Sequence, residues 1–213
     1  MAAVASRSRA DLGRLIMVPA ALVMLLLDAA ALANGGTSGP LRWISAILIC
    51  AFYVLVVGSY LRRGPAIATG GSATGHVVAV LATIAPFAFP QLRGAIPGPG
   101  QQLSADVILL ARLAWSAWSL WFLGRNLSVL AQARAVADRG PYRLVRHPLY
   151  TGEIVSALGL ALSAGSLAGF SVWLALCAMQ AYRALREEQV LLAALPGYRS
   201  YRERTAALVP GIF

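Results

Sequence analysis

The 213-residue chain is 59% hydrophobic and 12% charged, about half the charged share of an ordinary soluble domain, and several apolar runs approach the roughly 20 residues that cross a bilayer. This excludes a soluble domain as the main body and points to an all-α, polytopic transmembrane helical bundle of about six segments. The charge of +10 comes from 18 arginines, with no lysine, against eight acids; the arginines gather beside the ends of apolar runs, where the positive-inside bias and anionic lipid account for them without nucleic acid.

In chain order, the first predicted span is 15–33, preceded by Arg7, Arg9 and Arg14. Its basic start, apolar middle and small residues at Ala31 and Ala33 also fit a cleaved signal peptide; an uncleaved span is the preferred reading. The second span is 42–61, ending at Arg62 and Arg63, and the Gly/Ser/Thr-rich stretch after it lacks the Gly-Lys-Ser/Thr ending of a phosphate-binding loop. The third, 76–92, carries Pro86 and Pro90, which predict a kink.

The fourth span is 104–124. Here Trp115, Trp118 and Trp121 recur every third residue on one helix face, fitting packing or interfacial anchoring ahead of a substrate tunnel. Arg112 in this span and Asp28 in the first are costly in hydrocarbon unless paired or wet; a mutual pair and a pathway lining are both open. The apolar stretch 153–182 is interrupted by "SAGSLAG" at 163–169 and predicts two helices, the first too short to span upright.

Fifteen arginines fall on the side of the N-terminus, second loop, 125–152 segment and C-terminus, while Arg42 and Arg93 fall opposite. Both termini are therefore expected on the cytoplasmic side of a bacterial-type inner or plasma membrane. Cys50 and Cys177 lie in apolar stretches without histidine at metal-ligand spacing, so neither a disulfide framework nor a metal site is expected.

Two segments carry polar chemistry. "RGPYRLVRHPLYTGE", 139–153, holds Arg146, one of two histidines (His147) and Pro148, which pre-sets a helix's first turn and drives His147 extended. Tyr142 and Tyr150 on either side also suit interfacial anchors. In "RALREEQVLLAALPGYRSYRERT", 183–205, Arg183 and Glu187 are four apart and share a helical face. That spacing gives either a surface ion pair worth a few tenths of a kcal/mol or a paired cation and anion that holds a ligand bearing both signs.

Taken together, Gly140, Tyr142, Arg146, His147, Pro148, Tyr150, Arg183, Glu187, Glu188, Tyr198 and Tyr201 form a joint pattern that resembles the isoprenylcysteine carboxyl methyltransferase family and its relatives, the phospholipid N-methyltransferases. The resemblance covers roughly residues 120–213. One departure is "LPGY", Leu195–Tyr198, a residue shorter than the Phe-Gly-x-x-Tyr spacing of many relatives, which bears on how the tail closes over the site.

The resemblance implies an S-adenosylmethionine site at the cytosolic face with no Rossmann domain, N-terminal helices over 1–124 and a catalytic region over 125–213. It implies a cofactor-binding set of Tyr142, His147, Pro148, Leu149, Tyr150 and Glu187, with Glu187 holding the ammonium, His147 and nearby backbone donors the carboxylate, and the tyrosines lining the adenosine or sulfonium. Arg183 and Glu187 are the implied catalytic residues, the arginine's planar fork engaging a substrate carboxylate. The implied activity is carboxyl O-methylation of a lipophilic substrate entering from membrane lipid. Phospholipid amine methylation is the alternative. A third reading, an NADPH-binding sterol-type reductase, shares the Arg-His-Pro-x-Tyr element but has Asn-Tyr where Leu149-Tyr150 stand.

Overall fold

A computed structural model describes residues 12–34, 40–70, 72–92, 94, 98–128, 132–133 and 135–211. Helices account for 79% of it, chiefly α1 (Leu12–Asn34), α2 (Pro40–Arg62), α3 (Ala73–Ile84), α4 (Pro99–Leu123), α5 (Pro148–Ala164), α6 (Leu167–Ala194) and α7 (Tyr198–Arg204). The class is all-α with no Rossmann fold. By length and composition, Leu103–Leu123 in α4 is long and apolar enough to cross a membrane, and shorter apolar helices cover Arg14–Leu27, Ala46–Arg62 and Ala73–Ile84. The helices follow the six predicted segments closely, but membrane-crossing character is this uneven among the described residues. In α6 the reason is visible, because Arg183, Arg186, Glu187 and Glu188 occupy its C-terminal half.

The predicted kink in the third segment takes a specific form. Helix α3 passes at Ala85 into a 3-10 helix, Ala85–Leu92, beginning one residue before Pro86, where the missing amide hydrogen cannot continue an α-helical ladder. The turn between the last two apolar helices sits at Gly165, whose φ of 59° is left-handed, and Ser166 caps α6 by accepting from the Gly169 amide. Helix α5 has 17 residues, longer than expected, because Pro148 starts it ahead of the apolar run.

Small residues set how closely α5 approaches α4. A Cβ at Gly152 would lie 2.8 Å from Ser116 Oγ, and one at Gly159 would lie 3.1 Å from Ile108 Cγ2. On the other side of α5, Ala157, Ala161 and Ala164 enter a buried cluster with Phe89 and Leu176. Close backbone approach over small residues is the means of helix association where no hydrophobic drive separates protein from solvent. The outer surface is apolar in turn: Leu15, Ile47, Val54, Trp121 and Leu174 are all exposed.

At one end of the bundle, cations tie the chain ends together. Arg14 donates to the carbonyls of Tyr60 (3.0 Å) and Arg63 (3.1 Å), satisfying oxygens at the end of α2 that lack helical partners. The buried Arg63 guanidinium lies 4.4 Å over the Tyr60 ring and reaches the Leu127 carbonyl at the exit of α4. Next to it, β1 (Ala68–Thr69) pairs antiparallel with β2 (Gln132–Ala133). This two-residue sheet has no periodic sequence signal.

Asp28, Arg42 and Arg93 have side chains outside the described residues, so the Asp28–Arg112 pairing falls there too. Arg112 itself lies 5.8 Å from the Phe52 ring centroid. The tryptophan row divides: Trp115 donates to the Pro148 carbonyl at 2.7 Å, Trp118 packs edge-on to Trp115 and Phe122, and Trp121 is exposed.

Gly140 marks the tightest turn. Its φ is 58°, and a Cβ there would stand 2.4 Å from Phe122 Cδ2, so strain and overlap add. Gly140→Ala is expected to lower the melting temperature in detergent by ~5 °C or more, while Gly64→Ala, where a Cβ meets nothing within 4 Å, shifts it by less than ~2 °C. Equal melting temperatures for the two variants would contradict this packing.

Candidate active site

The site is built by the 139–153 corner, the polar end of α6 and the C-terminal tail. Pro148 opens α5, and His147 is its N-cap by position, with no side-chain capping bond. Its backbone, at φ −124° and ψ 61°, is not in the extended region expected of a residue before proline, and the corner holds the tail: the amides of Arg146 and His147 donate to the carbonyls of Ala206 (2.8 Å) and Ala207 (3.0 Å). Thr151 Oγ1 adds a bond to the Leu208 carbonyl at 2.8 Å. The tail thus lies as a short parallel strap along the corner, through the Val145–Ala206 bridge.

Glu188 is buried on the side of α6 that meets this strap. Its Oε1 accepts from Arg146 Nε at 2.7 Å and lies 3.2 Å from His147 Nε2, and its Oε2 is 3.0 Å from Arg202 Nε. Burial alone would raise its pKa; hydrogen bonds from His147 and Arg146 and their charge overcome this and hold the carboxyl at about 2. Arg146 Nη1 also donates to the carbonyls of Arg202 (3.0 Å) and Thr205. One carboxylate therefore fastens corner, last long helix and tail.

Glu187, one residue earlier on α6, turns about 100° away. Its Oε2 accepts from Tyr150 OH at 2.8 Å and stands 3.7 Å from His147 Nδ1. The His147 and Tyr150 rings are parallel, with centroids 5.4 Å apart. Tyr201 OH donates to the Tyr142 carbonyl at 2.6 Å, and burial pushes the Tyr142, Tyr198 and Tyr201 phenols up, so all three stay protonated at neutral pH. The buried Tyr198 hydroxyl has no hydrogen-bond partner among the described residues.

Two adjoining clefts of about 430 and 360 Å³ open over these groups, sharing Leu123, Asn126, Tyr142, Arg146, His147 and Glu187. The first also touches Gln132, Tyr198 and Tyr201, and the second Leu149 and Tyr150. Pro148 is fully buried, with its carbonyl taken by Trp115, and contributes the corner. Arg183 stands apart. It is buried, its Nη1 reaches Gln180 Oε1 (3.0 Å) and Glu153 Oε2 (3.5 Å), and its guanidinium lies 4.6 Å from the Tyr150 ring centroid.

The arrangement thus brings Tyr142, His147, Leu149, Tyr150 and Glu187 to one continuous space and sets Arg183 at its edge, across the Tyr150 ring. Arg146, Glu188 and Tyr198 belong to the joint pattern in the sequence but have no binding contact assigned by it, and Arg202 and Asn126 carry no sequence signal. Adjacent acids on a helix point about 100° apart, so Glu187 and Glu188 face different surroundings. Among the described residues, no group of three His, Cys, Asp or Glu side chains is placed to hold a metal ion.

Residues 101–195 match the phospholipid methyltransferase family. The matched range runs from α4 through α6 and so contains the corner, Glu187 and Glu188. A curated relative, the cobalt-zinc-cadmium resistance protein CzcN of Cupriavidus metallidurans, is 36% identical over 110 residues, covering 51% of this chain and 46% of that protein. The chain therefore matches less than half the length of that relative. Over this segment the chain is similar to the phospholipid methyltransferase family.

Glu188 gives the site a defined acid response. Its folded pKa of about 2 lies below the ordinary 4.5, so its contribution to stability is complete above 4.5 and is lost as pH falls toward 2. The melting-temperature advantage of the wild type over Glu188→Gln is expected to stay constant above about pH 5 and to shrink through that acid window. An advantage unchanged down to about pH 3 would contradict the network.

Proposed function

We propose that this chain is an integral-membrane, S-adenosylmethionine-dependent methyltransferase acting on a lipophilic carboxylate. The single observation that carries the reading is the convergence of Glu187, His147, Tyr142 and Tyr150 on one cleft beside the unpartnered Tyr198 hydroxyl. The cofactor has an ammonium, a carboxylate, a sulfonium and an adenine; it needs one anion, hydrogen-bond donors and an aromatic wall. Glu187 offers the anion, Tyr198 and Asn126 the donors, and Tyr142 and Tyr150 the wall. These residues fit.

His147 takes a narrower part than the family resemblance implies. Both its ring nitrogens face carboxylates, at 3.2 Å for Glu188 and 3.7 Å for Glu187, so we assign it to orient Glu187 and leave the cofactor carboxylate to hydroxyl, amide and backbone donors. When bound, the cofactor would supply an electrophilic methyl carbon and a sulfur leaving group for the acceptor oxygen. A carboxylate nucleophile is already ionised at neutral pH, so no side chain has to take a proton. The protein's work is to position and desolvate. Arg183, held from behind by Gln180 and Glu153, presents its planar fork to the acceptor at the edge of the cofactor space.

The setting we propose is a bundle of six membrane segments with both termini cytoplasmic. Its support is the apolar outer surface together with the gathering of Arg14, Arg63 and the corner at one end. Phospholipid amine methylation is the second reading, favoured by the description of the matching family; it requires in addition a group that accepts the amine proton.

Isothermal titration of the detergent-solubilised protein with S-adenosylhomocysteine is expected to show saturable binding and with NADPH none. Loss of a charged hydrogen bond costs ~1.5–3 kcal/mol, so Glu187→Ala should weaken binding at least ~10-fold; unchanged affinity would refute its assigned role. Arg183→Ala is expected to bind S-adenosylhomocysteine normally yet fail to transfer labelled methyl groups to a lipid extract, and normal transfer would make this side chain structural.

A further inference from the structure

A third cleft, of about 500 Å³, lies between the start of α3 and the end of α6, and Tyr150 is a wall of both this cleft and the cofactor space. Helix α6 divides its residues between them. Arg183, Arg186 and Val190 recur at three- and four-residue spacing toward the α3 cleft, while Glu187 and Leu191 face the other. From α3 and the residue that caps it come Ser72, His76 and Ala79.

The polar lining is one-signed. Two guanidiniums, an imidazole, a serine hydroxyl, the Gln189 amide and the Tyr150 and Tyr182 side chains surround the space, and no carboxylate lines it among the described residues. Arg183 is partly balanced by Glu153 at 3.5 Å. Arg186 donates to Gln189 Oε1 at 3.0 Å and meets no carboxylate among the described residues. A cleft of this composition attracts anions and rejects amines. Its remaining walls, Ala79 and Val190, are apolar, and the adjacent α3 carries exposed Val77 and Val80 on its outer surface, so an aliphatic tail can continue from the head group into lipid.

We propose that this cleft is the acceptor head-group site, that it takes the carboxylate of an amphiphile, and that His76 and Arg186 are specificity-determining residues that hold the carboxylate together with Arg183. The proposal deepens the methyltransferase reading and rests on it for the reaction, but not for the binding. It assigns a role to the third predicted span, which lies outside the family match at 101–195. Tyr150 then stands where donor and acceptor meet.

The test uses the full-length protein in detergent, with N-acetyl-S-farnesylcysteine as an amphiphile bearing one carboxylate and its primary amide as the neutral twin. Binding is read by tryptophan fluorescence in the presence of saturating S-adenosylhomocysteine. The wild type is expected to bind the acid at least ~10-fold more tightly than the amide, and the double variant His76→Gln/Arg186→Gln to lose that preference while keeping wild-type affinity for S-adenosylhomocysteine. Equal affinity of the wild type for acid and amide overturns the proposal without reference to any variant, and so does an undiminished preference in the double variant. A wild type that prefers the acid but does not bind S-adenosylhomocysteine leaves this anion site standing and overturns the methyltransferase reading.

Discussion

A carboxylate out of water must be compensated, and in this chain the compensation of Glu188 is what joins the parts of the site. Ions taken from water lose several kcal/mol each, recovered only where geometry and hydrogen bonding are good. Glu188 meets that demand with Arg146, His147 and Arg202, which come from the corner before α5 and from α7. Without it, Arg146 and Arg202 would converge with no carboxylate between them, and the tail would lose its one ion pair to α6 among the described residues. The same contacts leave Glu187 with Tyr150 alone as its hydrogen-bonded anchor, its other edge toward the cleft.

Electrostatics and packing divide the work along α6. Its first half buries Gly169 and Leu176 against α5 and the 3-10 helix. The polar C-terminal half then points in three directions: Glu188 to the strap, Glu187 to the cleft at the corner, Arg183 and Arg186 to the α3 cleft. Under the proposed function, one helix would set the mutual orientation of an anion for a cationic donor and cations for an anionic acceptor. Tyr150 lies between the two, fixed by its bond to Glu187, its stack on His147 and the guanidinium of Arg183 over its ring.

What could be read from sequence follows from the range of the interactions. Helices came from apolar runs and punctuation: Pro148 at a first turn, Gly165 and Ser166 between α5 and α6, Pro86 where α3 changes pitch. His147, Tyr150 and Glu187 were legible as parts of a joint motif. The ties of Glu188 to Arg146 and Arg202, the 68–69 to 132–133 pairing and the cleft lined by both His76 and Arg186 join residues far apart in the chain, and no local pattern encodes them. The Arg183–Glu187 spacing read as an ion pair or a ligand clamp; folding gives Glu187 to Tyr150 and directs Arg183 toward Gln180, Glu153 and the tyrosine ring. Neighbours across the bundle decided that outcome.

The central claim is that corner, α6 and tail enclose one space for the methyl donor. Ultraviolet crosslinking of radiolabelled S-adenosylmethionine to the solubilised protein, followed by peptide mapping, tests it most directly. Label confined to peptides from the 126–150 and 187–201 segments is the expected result. Label appearing instead in α1 or α2, or no label at saturating donor, would contradict it.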